Sequence, residues 1–368
     1  MPLYMDRHDI PDEIKPEHVA QMHQEDLKVQ HLYGCKGMTY WCDSERHTAF
    51  CLIEAPNKEA IQNMHNHAHG AFPHQIIEVD EHLVESFLGR IEDPEKSSDA
   101  DLNIIDDPAF RVIMVLETAD QLYRTEDHQL SIFTQKFHRN VANSLKLFQG
   151  SIVRENDKSY LVSFKSVTNA VLCALKIQDN FKYSYPKLTN EHQGLNIGIC
   201  AGVPVTDKEG IFYESVVLAT QMCEIVKEQL VISSAIKDLY ENENRNAIID
   251  HTHIRVLKPK EEQFLSKLVA FSEANWKGPN FKLSHLCKAL GHSTSQTYRK
   301  IKKLTGKAPN TFMREFRLNK ALDLLHKQQG NISEIAFETG FNSPAYFTKC
   351  FFDAFGILPS KYIQLFQA

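Results

Sequence analysis

The stretch NISEIAFETGFNSPAYFTKCFFDAFG, residues 331–356, decides the fold of the last third of this chain. Asn331 can cap a helix with its side-chain oxygen, and Glu334 three residues later completes a capping box. A short apolar helix follows and ends near a glycine. Ser343 and Pro344 then indicate a second helix, because serine caps and proline is favoured at the first helical position. Two helices joined by a short turn match the helix-turn-helix, whose second helix lies in the DNA major groove.

The second helix of this stretch is predicted to have a buried aromatic face and an exposed face. The buried side chains are expected to be Phe347, Phe351, Phe352 and Phe355, and the candidate DNA contacts are Pro344, Ala345, Thr348 and Lys349. Many helical hairpins bind nothing, so this stretch taken alone leaves DNA binding open.

The same pattern occurs 49 positions earlier, in KLSHLCKALGHSTSQTYRKIKKLTG, residues 282–306, which makes it an internal repeat. The second helix of this copy, about residues 294–304, is expected to bury Thr297, Ile301 and Leu304 and to expose Ser295, Gln296, Arg299 and Lys303. Arginine and glutamine can form bidentate hydrogen bonds with guanine and adenine, worth roughly 1–3 kcal/mol of base discrimination each, whereas lysine more often binds phosphate. Residues 309–328 have helical periodicity and would hold the two reading helices about one DNA turn apart.

Residues 262–368 resemble the DNA-binding domain of the AraC/XylS family of bacterial transcription regulators. The motifs that carry this resemblance are YRKIKKLTGKAPNTFMREFRLNKALDLL, ISEIAFETGF, YFTKCF and FGILPSKY. Two positions depart from the family: Thr297 stands where a large apolar residue is usual, and Cys287 stands where alanine is usual. The resemblance implies an operator of double-stranded DNA read in two successive major grooves.

The charge distribution supports DNA binding without any family resemblance. Residues 262–368 contain 15 Lys and Arg against 7 Asp and Glu, whereas residues 1–261 contain 26 against 40. A basic module on an acidic body is typical of nucleic-acid binding, because phosphate contacts supply most of the affinity that does not depend on sequence. A solvated basic face is the alternative interpretation.

The length of 368 residues predicts two or three domains, and the hydrophobic content of 42% is sufficient for real cores. No basic N-terminal region precedes an apolar run, and no stretch approaches about 18 apolar residues, so we expect a cytoplasmic protein without a membrane span. The eight cysteines occur singly, which predicts buried thiols and neither disulfides nor a structural zinc site. Two charged segments, residues 89–110 and 242–263, are predicted to be linkers.

The predicted fold class is therefore multidomain, with two α+β domains of ferredoxin-like or cyclase-like type followed by an all-α domain with two helix-turn-helix motifs. The predicted limits are residues 1–90, 108–245 and 262–368. In the first domain, strand and helix patterns alternate in the order βαββαβ, which is typical of a ferredoxin-like unit.

Histidines are dense in the first domain. His65 and His69 lie four residues apart on one helical face, a spacing that allows two imidazoles to share a metal ion, whereas His67 points elsewhere. His8 and His23 are the next candidate ligands. Histidines on a helix are often only surface polar residues, so the spacing leaves both interpretations open.

The first domain also resembles a small bacterial family that includes a nickel-binding member, as seen in MDRHD, HQEDL, FCLIEAPNKEAI and HNHAHG. That resemblance implies nickel or another divalent ion that imidazole binds well.

The middle domain resembles the class III nucleotide cyclase fold, particularly in GSIVRENDKSYLVSFKSVTNAVLCALKIQ and NIGICAGVP. Such cyclases need two aspartates for metal ions and an Asn and Arg pair for the developing charge. Asp157 matches one aspartate, but Thr118 replaces the other, and Val217 and Gln221 replace the Asn and Arg. We therefore expect no enzymatic activity and a role in sensing or in forming a homodimer.

Three functions follow from these patterns. The first is a transcription regulator whose upstream domains sense an effector or pair two chains. The second is a nucleotide cyclase with a DNA-binding tail, against which the missing carboxylate and arginine argue. The third is a metal-binding or metal-buffering protein, and a metal-responsive regulator would combine it with the first.

Overall fold

The structure is a computed structural model, and it describes residues 1–95, 102–118, 127–184, 194–227, 229–245, 249–279 and 281–364. Two α+β domains, with a four-stranded and a six-stranded sheet, precede a C-terminal region that contains only helices. The predicted fold class is confirmed.

The N-terminal domain has the predicted βαββαβ order. Its elements are β1 (Leu3–Asp9), α1 (Pro16–Val29), a 3-10 turn (Gln30–Tyr33), β2 (Lys36–Asp43), β3 (Thr48–Glu54), α2 (Lys58–Ala68), β4 (Gln75–Val79) and α3 (Glu81–Leu88). The antiparallel sheet has the order β2-β3-β1-β4. One face of the sheet packs against α1 and α2, and a buried apolar cluster fills that layer.

The middle domain repeats this arrangement and extends it. Its elements are β5 (Arg111–Thr118), α4 (Asp127–Leu147), β6 (Ser151–Glu155), β7 (Ser159–Phe164), α5 (Val167–Ser184), β8 (Leu195–Gly202), α6 (Tyr213–Ile225), β9 (Leu230–Ile232), α7 (Ser234–Glu243) and β10 (Arg255–Val256). The sheet order is β10-β9-β8-β5-β7-β6. Read from the β6 edge, its first four strands are the second, third, first and fourth of the domain, which is the strand order of the N-terminal sheet. β9 and β10 join in parallel.

The helix α6 lies directly on the sheet because Gly198 in β8 has no side chain. A Cβ atom on Gly198 would overlap the backbone carbonyl of Ala219 in α6. This close approach positions α6 between the sheet and the helical region.

One continuous apolar core joins the two sheets, with α3 packed on β6 and β7. The buried guanidinium of Arg111 donates hydrogen bonds to the carbonyl oxygens of Phe87 and Leu88, each at 3.0 Å. These carbonyls lie at the end of α3, where a helix has no internal donors for them. Arg111 therefore ties the middle domain to the last helix of the N-terminal domain.

The helical region consists of α8 (Pro259–Asn275), α9 (Leu283–Leu290), α10 (Thr294–Thr305), α11 (Pro309–His326), α12 (Ile332–Glu338), α13 (Pro344–Phe355) and α14 (Pro359–Gln364). The predicted caps form: Asn331 and Glu334 make a reciprocal capping box, and the Ser343 hydroxyl accepts from the backbone N–H of Tyr346. The spacer helix expected over residues 309–328 is α11.

Both segments expected to be linkers contribute to packed structure. Residues 242–263 contain β10, which extends the middle sheet, and the first turn of α8. In residues 89–110, of which 96–101 lie outside the described residues, Ile105 is buried and its N–H donates to the Tyr40 hydroxyl at 2.8 Å. Charge-rich composition suggested a linker, but a few apolar residues are enough to anchor such a segment.

All eight cysteines are buried and free. In the described part of the chain, no helix has the length and apolar character that a membrane crossing requires.

Candidate nucleic-acid interface and metal centre

The helix α10 presents its predicted faces. Thr297, Ile301 and Leu304 are buried, and the four candidate DNA contacts Ser295, Gln296, Arg299 and Lys303 are exposed. The Gln296 side-chain oxygen also accepts from the N–H of Ser293 at 3.2 Å, so it takes part in the helix cap. The guanidinium of Arg299 is the side chain on this face best suited to bidentate contact with a base.

The helix α13 has a more aromatic character. Ala345 and Lys349 are exposed, and Pro344 and Thr348 are half-buried. Phe347, Phe351 and Phe355 are buried as predicted, but Phe352 is 49% exposed, so its predicted burial is wrong. The buried face follows positions four residues apart, and Cys350 occupies the remaining inward position.

One exposed side chain on α13 was not among the predicted DNA contacts. Tyr346 is 51% exposed, immediately beside Ala345. The repeat could have identified it, because Gln296 precedes Tyr346 by 50 positions, as Gly306 precedes Gly356.

The helix α11 holds the two helix-turn-helix units together. Its Arg317 donates to the carbonyl oxygen of Gly340 at 3.1 Å, in the turn of the second unit. The same guanidinium donates to the carbonyl oxygen of Gly278, after α8. Arg317 thus links the start of the helical region to the second turn.

The buried centre of the N-terminal domain is His65, at the end of α2. Its Nδ1 lies 3.0 Å from Asp26 Oδ1 in α1, and its Nε2 lies 2.8 Å from Asp6 Oδ2 in β1. His69, at the C-cap of α2, places its Nε2 3.3 Å from His65 Nδ1 and 3.2 Å from Asp26 Oδ1. The ligand atoms of Asp26, His65 and His69 therefore converge.

The charges of this cluster are strongly coupled. Burial alone would lower the pKa of His65, but hydrogen bonds and charges from Asp26 and Asp6 outweigh it and raise the pKa to about 10. Burial opposes ionisation of Asp6 and Asp26, yet their histidine partners hold both carboxyl pKa values below the usual range. The two carboxylates therefore favour the protonated form of His65.

All four predicted histidines line one cavity of about 20 Å³, together with Asp26 and Cys51. A cavity of this size has room for one water molecule, and a single metal ion needs no more. The Nε2 of His8 lies 3.4 Å from Asp6 Oδ1. Asp6, His8 and Cys51 form a second group of possible ligands. His23 instead turns its Nε2 toward Asp93, at 3.4 Å.

Three residues of this cluster were not among the predicted site residues: Asp6, Asp26 and Cys51. A signal existed for Asp6, because MDRHD places Asp6 and His8 on the same face of a strand. Asp26 follows His23 by three positions and so shares its helix face. Cys51 comes from β3 and joins the site only through strand pairing with β1.

In the middle domain, the two positions compared with metal-binding aspartates lie at one end of the sheet. Thr118 ends β5, and its N–H donates to the carbonyl oxygen of Lys158 at 2.9 Å, next to Asp157. Asp157 is exposed, whereas Gln221 on α6 has a buried side-chain oxygen without a hydrogen-bond partner. This end of the sheet therefore offers the hydroxyl of Thr118 and the carboxylate of Asp157.

Comparison with protein families gives two partial matches. Residues 4–79 match the family described as nickel responsive protein SCO4226-like, and residues 286–364 match a helix-turn-helix domain family. The C-terminal region is thus similar to helix-turn-helix domains, and the N-terminal region is similar to the SCO4226-like family.

Individual relatives cover different parts of the chain. Histidine kinase P4 of Formosa agariphila is 26% identical over 279 residues, 71% of this chain and 19% of the kinase. SCO4226 of Streptomyces coelicolor A3(2) is 34% identical over 21% of this chain and 94% of that chain, with a TM-score of 0.20. An AraC-type transcriptional regulator of Chromobacterium violaceum is 26% identical over 29% of this chain and 95% of that chain, with a TM-score of 0.28. The chain spans about a fifth of the length of the kinase.

Proposed function

We propose that this chain is a sequence-specific, DNA-binding transcription regulator with a metal-responsive N-terminal domain. The observation that carries the proposal is the pair of exposed reading helices, α10 and α13, joined by one continuous helix. Two reading helices on one spacer suit two successive major grooves on one side of DNA. A regulator of this kind would act in the cytoplasm.

Random-site selection with the full chain tests the DNA-binding part of the proposal. We expect a bipartite site whose half-sites lie about one helical turn, roughly 10 base pairs, apart. If no sequence were enriched over the starting pool, the chain would not be a sequence-specific regulator.

The N-terminal cluster has the donor set of a site for nickel or a similar divalent ion, since imidazole nitrogens and carboxylate oxygens suit such metals. An ion about 2.1 Å from its ligands separates them by roughly 3.0 Å in an octahedron and roughly 3.4 Å in a tetrahedron. The three distances among Asp26 Oδ1, His65 Nδ1 and His69 Nε2 are 3.0, 3.2 and 3.3 Å. The residues therefore fit the group that the family name implies.

In this proposal Asp26, His65 and His69 hold the ion, and Asp6 orients His65 through its other ring nitrogen. A bound divalent ion would supply positive charge where the His65 proton now sits between two carboxylates. His23 lines the same cavity, but its Nε2 lies 3.4 Å from Asp93 Oδ2, so His23 would have to turn away from Asp93 to become a further ligand.

Calorimetric titration of the full chain with Ni²⁺ tests this site. We expect Asp26→Asn and His69→Ala to weaken binding more than tenfold, because each removes a ligand. His67→Ala is the matched control, since His67 is exposed on the same helix and contacts Tyr33 instead. Equal affinities for all variants would exclude this cluster as the metal site.

We further propose that the middle domain is a cyclase-like domain without catalytic activity that pairs two chains as a homodimer. The observation that argues against catalysis is Thr118, which hydrogen-bonds to the carbonyl oxygen of Lys158, next to Asp157 in the chain, and offers a hydroxyl where catalysis would need a second carboxylate. Sedimentation of the full chain should show a dimer, and ATP or GTP incubated with Mg²⁺ should remain unchanged. A monomer, or cyclic nucleotide formation that Asp157→Asn abolishes, would contradict this proposal.

A further inference from the structure

The C-terminal end of the reading helix α10 rests against the middle domain. The N–H of Lys227 donates to the carbonyl oxygen of Leu304 at 3.1 Å, and Arg255 donates to that of Lys303 at 3.3 Å. The last carbonyls of a helix have no partner within the helix. Residues far away in the sequence therefore complete the hydrogen bonding of α10.

This contact belongs to a hydrophobic core that the middle domain shares with the first helix-turn-helix unit. Val226 and Leu257 belong to the same buried cluster as Leu286, Ile301 and Leu304 of the first helix-turn-helix unit. In addition, Glu262 of α8 accepts hydrogen bonds from the N–H and hydroxyl of Ser234, at 2.7 and 3.0 Å. The first unit and the middle domain are thus packed as one piece.

Basic side chains gather at this junction. We define the basic ledge as Lys227, Arg255 and Lys258, which adjoin the end of α10 and its Lys303. Lys227 and Lys258 are exposed, and Lys303 is 70% exposed at its side chain. The Arg255 side chain is only 13% exposed, so it supports the ledge from below and the lysines form its surface. The stem of Lys227 lies over Gly306, where an added Cβ would come within 3.0 Å of its Cδ.

The carboxylate of Glu261 contacts two members of the basic ledge and Lys303. Glu261 Oε1 lies 3.0 Å from Lys303 Nζ and 3.7 Å from the Arg255 guanidinium, and its Oε2 accepts from the N–H of Lys258 at 3.1 Å. The ledge cations and Lys303 outnumber this carboxylate. The surplus is unusual for its surroundings, because residues 1–261 carry 40 acidic against 26 basic residues.

We propose that the basic ledge binds DNA phosphates that flank the first half-site, so that the middle domain is part of the DNA interface. This inference rests on the proposed function. A reading helix in the major groove has the phosphate backbone along both sides of it, and duplex DNA carries about one charge per 1.7 Å. Cations fixed at the end of α10 lie where that backbone continues.

The test uses the full chain and the operator obtained by site selection, with dissociation constants measured over a range of salt concentrations. The variant is Lys227→Gln with Lys258→Gln, which are the two exposed lysines of the ledge, and the matched control is Lys208→Gln. Lys208 is an exposed lysine of the same domain next to Glu209, which pairs with Lys58 of the N-terminal domain. Scrambled DNA of equal length is measured in parallel.

We expect the double variant to weaken binding to operator and scrambled DNA by the same factor. The slope of log affinity against log salt should become shallower by about 0.9 per lost phosphate contact, nearly 2 in total. Lys227→Arg should retain the wild-type slope, and Lys208→Gln should match the wild type.

Two results would contradict the proposal that the basic ledge binds phosphates while leaving the proposed function intact. One is an unchanged salt slope with unchanged affinity. The other is an unchanged slope with lost discrimination between operator and scrambled DNA, which would mean that these residues only support α10. If the wild-type chain itself failed to discriminate, the proposed function would fail, and the ledge proposal would fail with it.

Discussion

The two helix-turn-helix units share a sequence pattern but differ in what holds them together. The second unit packs on itself: Phe347, Phe351, Phe355 and Tyr362 form a cluster with residues of α11 and α12. The first unit has no such closed core, because Ile301 and Leu304 belong to the cluster that continues into the middle domain. A duplicated motif can therefore fold as an autonomous unit in one copy and as part of a larger body in the other.

The difference is already visible at one position of the repeat. Phe347 is fully buried in α13, and the equivalent residue in α10 is Thr297, which is also fully buried. The Thr297 hydroxyl has no hydrogen-bond partner. The second unit thus fills its centre with an aromatic ring, whereas the first fills it with a smaller side chain and draws apolar contacts from another domain.

The largest expected effect is a local loss of stability in the second unit. Phe351→Ala should cost about 3–5 kcal/mol, because it removes a buried ring that contacts Phe347, Phe355 and Tyr362. Hydrogen exchange should show lost protection in α12 and α13 and unchanged protection in α10. The exposed neighbour is the control, since Phe352→Ala should change stability by less than about 0.5 kcal/mol.

The corresponding substitution in the first unit should lower hydrogen-exchange protection beyond that unit. Ile301→Ala should cost about 2–5 kcal/mol, and amides of α6 and α8 should exchange faster as well as those of α10, since their cores are continuous. Faster exchange confined to α9 and α10 would show that the two units are equally autonomous and would remove the contrast.

Base recognition should depend most clearly on the first unit. Arg299→Ala should cost roughly 1–3 kcal/mol of discrimination at one base pair of the first half-site. The preference at the second half-site should stay the same when both profiles are measured by site selection.

Lys303→Ala provides the comparison within the same helix. It should weaken binding to all sequences alike and reduce the salt slope by about 0.9, as expected for a phosphate contact. Identical behaviour of the two variants would contradict the assignment of separate base and phosphate roles.

The smallest expected effect is a gain in stability. Thr297→Val replaces an unpaired buried hydroxyl with a methyl group of similar size and should stabilise the chain by about 1 kcal/mol. Thermal unfolding would detect the rise in midpoint. A fall would indicate that the hydroxyl has a partner in solution.

Much of the helical region could be predicted because its signals are local. Capping boxes and apolar periodicity act over three to four residues, and Asn331 with Glu334 shows this directly. The predicted burial of Phe352 was wrong because adjacent residues on a helix point about 100° apart, so Phe351 and Phe352 cannot both lie at the centre of one face. The DNA-contacting and metal-binding roles of the named side chains stay predictions.

Only part of the candidate metal centre could be predicted from the sequence, for a different reason. His65 and His69 share a helix, so their spacing predicted that they meet. Asp6, Asp26 and Cys51 come from β1, α1 and β3, and they reach His65 only when the sheet pairs and α1 packs on it. Donors from four separate elements leave no fixed spacing in the sequence.

By itself, the sequence determined the order of elements in the first domain, both helix-turn-helix units and the histidine pair, because short-range periodicity and capping govern each of them. Only the tertiary structure decided that Asp26 and Asp6 enclose His65 and that Lys227 and Arg255 meet the end of α10. These contacts join residues tens of positions apart, and their formation depends on the packing of whole sheets and helices. Long-range packing follows from the burial of all apolar faces together, which no single segment specifies.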